Sequence, residues 1–569
     1  VPRCPQLAIA LVLTCALAVA PAAAQDWGTS RPAPAPATAA AATLPGTIVV
    51  GTAVYGTLPI PTLMEGSAAN TSNFELADQL FLRLAVPGPA LTTAGDRGFE
   101  PQLARSWTRR DSLTLVFELD PRARWHDGTP VTARDVVFTF ERARDAKRAS
   151  RTARPLQYVS AVEAEGDGRV VVRFSRAYAE QLYDATFHVQ PLPYHLVGRM
   201  SPDELRASSF VRAPVGNGPY RWGRAVPGQY VELVAVPDFF LGRPGIGRLV
   251  FRVASSPEAR LNLLLSGELD AVDAVVPPLS NLDRVRERGD LRTVAVPSTT
   301  LGYLLFNQRD PADPSRPHPI LADSNVRRAI VLALDRERMA RSAYGPYARV
   351  PVGPVSQVLW IRDVAGRAAK PDVARARRLL AASGWRDADD DGTLERGGRP
   401  LVLALQYPTQ SAVRRQLALQ AQAQLARVGV RIELAGIDGP VWIERRTKGA
   451  FDIDFSSASQ DPTPSGLVQS WSCAGIGGSN VARYCEPAVD SLLARAIFST
   501  DDPSPHWRAA LRRIEADAPA AFLYAAVLPY VVHRRFEDVR IRPEAPWLSL
   551  WQWRIRPGAE LPRDRVPGR

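Results

Sequence analysis

Between residues 401 and 434 the chain reads strand, helix, strand, and that order leaves few folds open to it. Residues 401–406 form a short apolar run. Residues 411–428 place apolar side chains at helical spacing and stop at Gly429, the residue type that takes the left-handed turn just past a helix. Residues 430–434 form a second apolar run. Two strands joined by one helix lie parallel, with a right-handed crossover. A third strand, FDIDF at 451–455, follows a short helix around Trp442. Ligands of such α/β sheets sit beyond the carboxyl ends of the strands. Those ends are 407–410, 436–440 and 456–464, so a binding surface is expected there from pattern alone.

The chain has 569 residues, enough for two or more domains. Its formal charge of +12 raises the question of nucleic acid. Lysine, however, occurs only at Lys147, Lys370 and Lys448, and the arginines are scattered among acids. No basic run alternates with aromatics, so no nucleic-acid partner is expected. Arg3, the apolar run 7–20 and Ala22-Ala23-Ala24 read as a signal peptide over 1–24, hence export to the periplasm. The run is short for a membrane span. Cys15, preceded by Leu13 and Thr14, is a poor lipid-attachment site. Residues 25–44 are a Pro/Ala-rich leader.

Removal of the leader leaves Cys473 and Cys485, twelve positions apart. An oxidising compartment favours a disulfide between them; two free buried thiols are the alternative. No histidine stands beside either, which argues against a metal site.

The tools of an enzyme are missing. The sequence has no His-Glu-x-x-His, no Gly-x-Ser-x-Gly and no phosphate loop. His126 sits in a turn, where a local hydrogen bond is expected, and His188 and His195 are separated by two prolines. The acidic run 387–392 begins like a calcium loop, but Gly398 stands where the twelfth-position carboxylate is needed, so a solvated hairpin is expected. No catalytic residue, cofactor or metal is expected. A periplasmic hydrolase, which would need an activated nucleophile beside a base, stays as the alternative from another class.

The most specific stretch is LARSWTRRDSLTLVFELDPRARWHDGTPVTARDVVFTFER, from Leu103 to Arg142. Leu113, Leu115, Phe117 and Leu119 alternate as in a strand. His126-Asp127-Gly128 makes a turn, and Thr132 with Asp135 opens a helix whose Val136, Val137, Phe140 and Ala143 share a face. This order resembles the signature of the bacterial extracellular solute-binding proteins of the peptide/nickel family, family 5, which serve ABC importers. Gly216-Asn217-Gly218-Pro219-Tyr220, Gly267 with Asp270, NVRRAIVLALD at 325–335 and NVARYC at 480–485 are similar to further family elements. The last lies close to the disulfide region of dipeptide-binding proteins. The resemblance covers roughly 45–555.

What the resemblance implies is a two-lobed α/β periplasmic-binding-protein fold with a hinge, in the large variant that carries an extra subdomain at about 70–205. Lobe 1 would span 45–306, lobe 2 307–517, and 518–569 would return to lobe 1. The protein would be a monomer that binds a peptide or other small solute between the lobes and delivers it to an inner-membrane ABC permease. A sugar or a metal chelate is the alternative cargo. The expected ligand contacts are Tyr55, Tyr407, Trp442, Ser457, Ser459, Gln460 and Asp461, although an Asp before Pro can simply cap a turn. Peptide-binding relatives hold the ligand ammonium with an Asp three residues before the Asp-Pro pair, and its carboxylate with an Arg after the first strand of the βαβ unit. Here those places hold Ala458 and the neutral Tyr407-Pro408-Thr409-Gln410, with Arg414 and Arg415 further on. The expected solute therefore lacks a free ammonium at that position.

Overall fold

The computed structural model describes residues 44–54, 59–64, 71–145, 153–275, 278–363 and 366–565. The signal peptide, nearly all of the leader, and Tyr55 lie outside the described residues. Among the described residues no helix is long and apolar enough to cross a membrane.

An eleven-stranded sheet runs through the molecule. The ten strands of its continuous path are β1 Thr47–Thr52, β2 Tyr220–Val226, β3 Tyr230–Ala235, β4 Arg248–Val253, β5 Ala271–Val272, β6 Leu291–Phe306, β7 Val402–Pro408, β8 Arg431–Ile437, β9 Ile453–Ser459 and β10 Ala520–His533. Their spatial order is β8-β7-β9-β6-β10-β5-β1-β4-β3-β2. β7 pairs parallel with β8 and with β9, as the strand–helix–strand pattern requires. The helix between β7 and β8 is Ala412–Ala426, and Gly429 has φ +79°. β1 pairs parallel with β4 and β5 at the other end of the sheet.

β6 and β10 are the long strands that join the two ends. They pair antiparallel from Leu291/His533 to Leu305/Ala520, with the register shifting between Pro297 and Leu301. The shift separates different cores. Val296, Tyr530 and Val532 pack with the N-terminal strands and helices. Leu304, Phe306, Ala521 and Leu523 pack with the βαβ unit, and Leu301, Tyr303, Leu305 and Phe522 pack with Trp471 and Trp507. Two strands that cross from one set of cores to another give a two-lobed molecule. Gly302 lets them approach, since a Cβ there would lie 2.1 Å from Cζ of Tyr524.

Residues 104–174 build a separate four-stranded antiparallel sheet, in the order Ala104–Asp111, Thr114–Leu119, Arg169–Phe174, Val159–Ala164. The helix Ala133–Ala143 starts where expected: the Asp135 carboxylate accepts the Thr132 backbone N–H at 2.8 Å. His126 differs from its sequence reading. Its bonds are not local but reach the Gly-Asn-Gly segment ninety residues on. Nδ1 accepts from the Gly216 N–H at 3.1 Å, and Nε2 lies 3.0 Å from the Gly218 carbonyl. Burial holds its pKa down at about 4, so the ring is neutral and can use both nitrogens this way. Asn217 in turn closes the helix Thr71–Leu80: its Oδ1 accepts from Leu82 N–H, and the Leu80 carbonyl accepts the N–H groups of Asn217 and Gly218. Two motifs that look separate in sequence are one joint.

Candidate ligand-binding site

Beside the carboxyl ends of β7 and β8 and the first residues of β9 lies a cluster built around Trp442, on the helix Gly439–Lys448. The Trp442 indole donates to Asp454 Oδ1 at 2.7 Å, and Gln406 Nε2 donates to the same oxygen at 3.0 Å. Ser456 and Arg446 approach the other oxygen, Arg446 at 3.3 Å. Asp454 is fully buried, and burial pushes its carboxyl up against the opposing pull of these partners. Arg414 and Arg446 stand over the Trp442 ring at 5.4 and 5.8 Å. Arg414 also donates to Ser457 Oγ at 2.7 Å and has no ion-pair partner among the described residues. The cluster thus holds two guanidinium groups and one carboxyl, a surplus of positive charge. Tyr407 is nearby in sequence but 92% buried, part of the core under the βαβ unit.

The reach of Arg414 is a consequence of helix geometry. Ser411 caps the helix, accepting the Arg414 N–H at 3.3 Å. Side chains in the first turn lean back toward the N-terminus, which returns Arg414 to the strand ends. The neutral turn 407–410 is therefore followed by a cation in the same place.

A cavity of about 390 Å³ opens next to the ligand loop, and its walls come from both lobes. Ser459, Gln460 and Asp461 line one side; Glu75, Asp78, Arg83, Glu544 and Trp547 line the other, with Thr299 of β6 between. A larger cavity of about 1080 Å³ shares Pro543, Glu544 and Leu548 with it. Ser457 and Ser459 fall on one face of β9, about 7 Å apart by strand geometry. Arg414, Trp442 and Arg446 are not among the residues that line either cavity; Ser457 links them to Ser459 along the strand.

The expected contacts divide accordingly. Ser459 Oγ lies 3.2 Å from Thr300 Oγ1, and Asp461 is exposed. Gln460 uses both ends of its amide within the protein: Oε1 accepts from Ser356 N–H and Nε2 donates to the Pro354 carbonyl, each at 2.7 Å. It shapes the loop more than it offers a free group. Trp442 and Ser457 belong to the arginine cluster, and Tyr407 to the core. Arg414 was noted beyond the neutral turn but not counted as a contact, and Arg446, Glu75, Asp78 and Glu544 were not singled out. Only Arg414 had a sequence signal, its place three residues after a helix cap.

The loop is clasped to the other lobe. Glu180, just before the helix Gln181–Phe187, accepts from Thr463 Oγ1 at 2.7 Å and from Thr93 Oγ1. Thr93 Oγ1 accepts from the Trp360 indole at 2.9 Å. Burial pushes the Glu180 carboxyl up to about 7. Further along, Cys473 and Cys485 are bonded, with Cα atoms 4.4 Å apart, which decides between the two readings of these thiols. Closing a loop of this size is worth about 3 kcal/mol in the simple entropy model. Asn480 fills the loop, donating to the carbonyls of Ser472 and Tyr484 at 2.8 and 2.7 Å. In the acidic run, Asp387, Asp389 and Asp391 are exposed and accept N–H groups of their own loop.

The family model for bacterial extracellular solute-binding proteins, family 5 (middle region), matches residues 98–478. A putative ABC transporter peptide-binding protein of Brucella ovis is 30% identical over 401 residues, 69% of this chain and 71% of the relative. The solved structure of the oligopeptide-binding protein AppA of Bacillus subtilis, in complex with a nonapeptide, superposes with a TM-score of 0.71 at 22% identity. That match covers 90% of this chain and 99% of AppA. The ABC transporter substrate-binding protein CtaP of Listeria monocytogenes gives a TM-score of 0.77 at 21% identity, over 90% and 99% of the two chains.

Proposed function

Because the chain belongs to the bacterial extracellular solute-binding proteins of family 5, we propose that it is the periplasmic binding component of an ABC importer for peptides. The observation that carries this reading is the cavity whose walls come from both lobes, beside the loop at the end of β9. The solute is held there by closure of the lobe built on β1–β5 on the lobe built on the βαβ unit. The register shift between Pro297 and Leu301, opposite Val527 and Ala525, supports bending there. The N-terminal segment is the export signal, the protein works as a monomer, and its macromolecular partner is the permease. Its role in this reading is binding and delivery, which membership of a solute-binding family supports.

Arg414 and Arg446 receive the carboxylate end of the solute. A carboxylate buried without a partner costs several kcal/mol, and these guanidinium groups meet it in the fork geometry that suits it. No carboxylate occupies position 458, so a free ammonium is not held there. Calorimetry with a panel of free and N-acetylated peptides tests both statements. Arg414→Ala should weaken binding of carboxylate-ended peptides at least tenfold and leave C-amidated ones little changed. Ala458→Asp should improve affinity for free amino termini. Equal loss for amidated and free peptides in Arg414→Ala would remove the carboxylate role. Submicromolar binding of an unmodified dipeptide would contradict the reading of position 458.

A further inference from the structure

Glu544 ends in a buried carboxylate oxygen that no group among the described residues satisfies. Its side chain is 3% exposed; Oε1 accepts from Arg542 Nε at 2.5 Å, and Oε2 has no hydrogen-bond partner. It faces the 390 Å³ cavity together with Glu75, Asp78 and Asp461. The guanidinium of that wall is committed to protein partners. Arg83 binds Asp78 at 2.8 Å and the Phe187 carbonyl at 2.8 Å, and His188 faces Asp184 at 3.5 Å. Glu75 has no cation partner among the described residues: it accepts from the Trp547 indole at 3.0 Å and from Thr52 Oγ1 at 3.4 Å. The charged and titratable groups around it are Asp78, Asp273 and Tyr530, and Arg260 is paired with Asp273 at 3.2 Å. Arg83 and Arg542 each meet one oxygen of Asp78 and Glu544, but among the described residues Glu75 has no cation and Glu544 Oε2 no donor, a costly arrangement for buried carboxyl groups that a bound cation relieves.

We propose that this cavity is a subsite for an organic cation carried by the solute, an ammonium or guanidinium group, with Glu75, Glu544 and Asp461 as its counter-charges. The proposal rests on the reading of the chain as a solute-binding protein. It also accounts for Ala458: the negative charge stands across the cleft instead of at that position. A bare metal ion fits less well. Among the described residues, the one group of three acidic or imidazole ligands close enough to share an ion is Asp387, Asp389 and Asp391, exposed and elsewhere.

One consequence concerns protons. Burial, with Asp273 and Asp78 nearby, pushes Glu75 up to about 8, so at pH 7 it is neutral in the empty cavity. An arriving cation lowers that pKa and displaces the proton. Affinity for a fixed cation therefore rises with pH, by up to about tenfold per unit, and levels off above about 8. Glu180 titrates lower, at about 7, and the Glu75→Gln variant separates its contribution from that of Glu75.

Two probes test this on the whole chain. The first is a random hexapeptide pool, captured by the protein and read by mass spectrometry. Lysine and arginine should be enriched at least fivefold in the captured peptides, and the enrichment should vanish in Asp461→Asn/Glu544→Gln while other peptides are still captured. Capture without basic preference overturns the subsite and leaves the peptide reading standing. The second is calorimetry with 1,5-diaminopentane at pH 7.5 in buffers of different ionisation enthalpy. Wild type should release a proton on binding, and Glu75→Gln, which keeps an acceptor for Trp547, should not. Diamine binding with proton release, but no peptide capture, keeps the subsite and removes the peptide reading. If neither probe binds, both fall. Unchanged melting temperatures of the variants confirm that they fold, and Asp461→Asn alone, at an exposed position, repeats the test if the buried variants do not.

Discussion

Asp270→Ala should cost the protein about 3–5 kcal/mol of stability, the range for removing one partner of a buried ion pair. Asp270 is fully buried, and its Oδ1 meets Arg535 Nε at 2.9 Å and Arg563 Nη2 at 2.7 Å. Its Oδ2 accepts the Val49 N–H at 2.9 Å. Arg535, with a side chain 1% exposed, also binds Asp564 at 2.7 Å and the Thr47 carbonyl at 2.5 Å. Asp564 Oδ1 accepts the Thr47 N–H at 2.8 Å. The network therefore fastens β1, β5 and the C-terminal tail to one another. Without Asp270 the buried Arg535 keeps one carboxylate, Asp564, while Arg563 and the Val49 N–H lose theirs. Denaturant unfolding at one pH measures the loss. A change below about 1 kcal/mol would mean that water or Asp564 compensates and that the network is not what holds the tail.

Glu180→Gln should change the pH dependence of stability. The carboxyl sits near 4.5 when exposed and near 7 when buried against Thr463. The folded pKa is the higher one, so the stabilising contribution is complete below about pH 4.5 and is lost as pH climbs to about 7. The full loss is at most about 3 kcal/mol, and above pH 7 it stays constant. Glutamine is neutral throughout and still offers Thr463 an acceptor. Relative to wild type, the variant should therefore gain stability steadily between pH 5 and 7.5. A difference between the two proteins that does not vary with pH would show that Glu180 is solvated or paired in a way the clasp does not explain.

The sequence made the βαβ unit plain because its two apolar runs, helical spacing and terminal Gly429 agree with one another. It hid half of β6. The segment Leu291–Pro297 carries Arg292 and Thr293 and ends in proline, so it lacks an apolar alternation, yet β10 pairs with it along its length. FDIDF was legible as a strand, but the ladder extends to Ser459, because Ser456 and Ser457 are matched by Tyr303 and Gly302 of β6. Polar residues pair well in a ladder whose neighbours are already fixed, and local pattern carries no record of that. Asp270 was visible as a motif position without a role; its partners lie 265 and 293 residues away. The carboxyl wall had no local signal at all, since Glu75 and Glu544 meet only when the tail returns to lobe 1. Arg414 was the near miss: it reads as a helix-surface arginine until the cap at Ser411 fixes which way it leans.

The central claim, that a solute is enclosed between two lobes, is tested most directly by small-angle scattering on the whole chain before and after saturation with a captured peptide. Closure about β6 and β10 predicts a smaller radius of gyration with peptide, reversed when the peptide is removed. An unchanged radius at proven saturation would place the solute on a rigid surface and contradict the account.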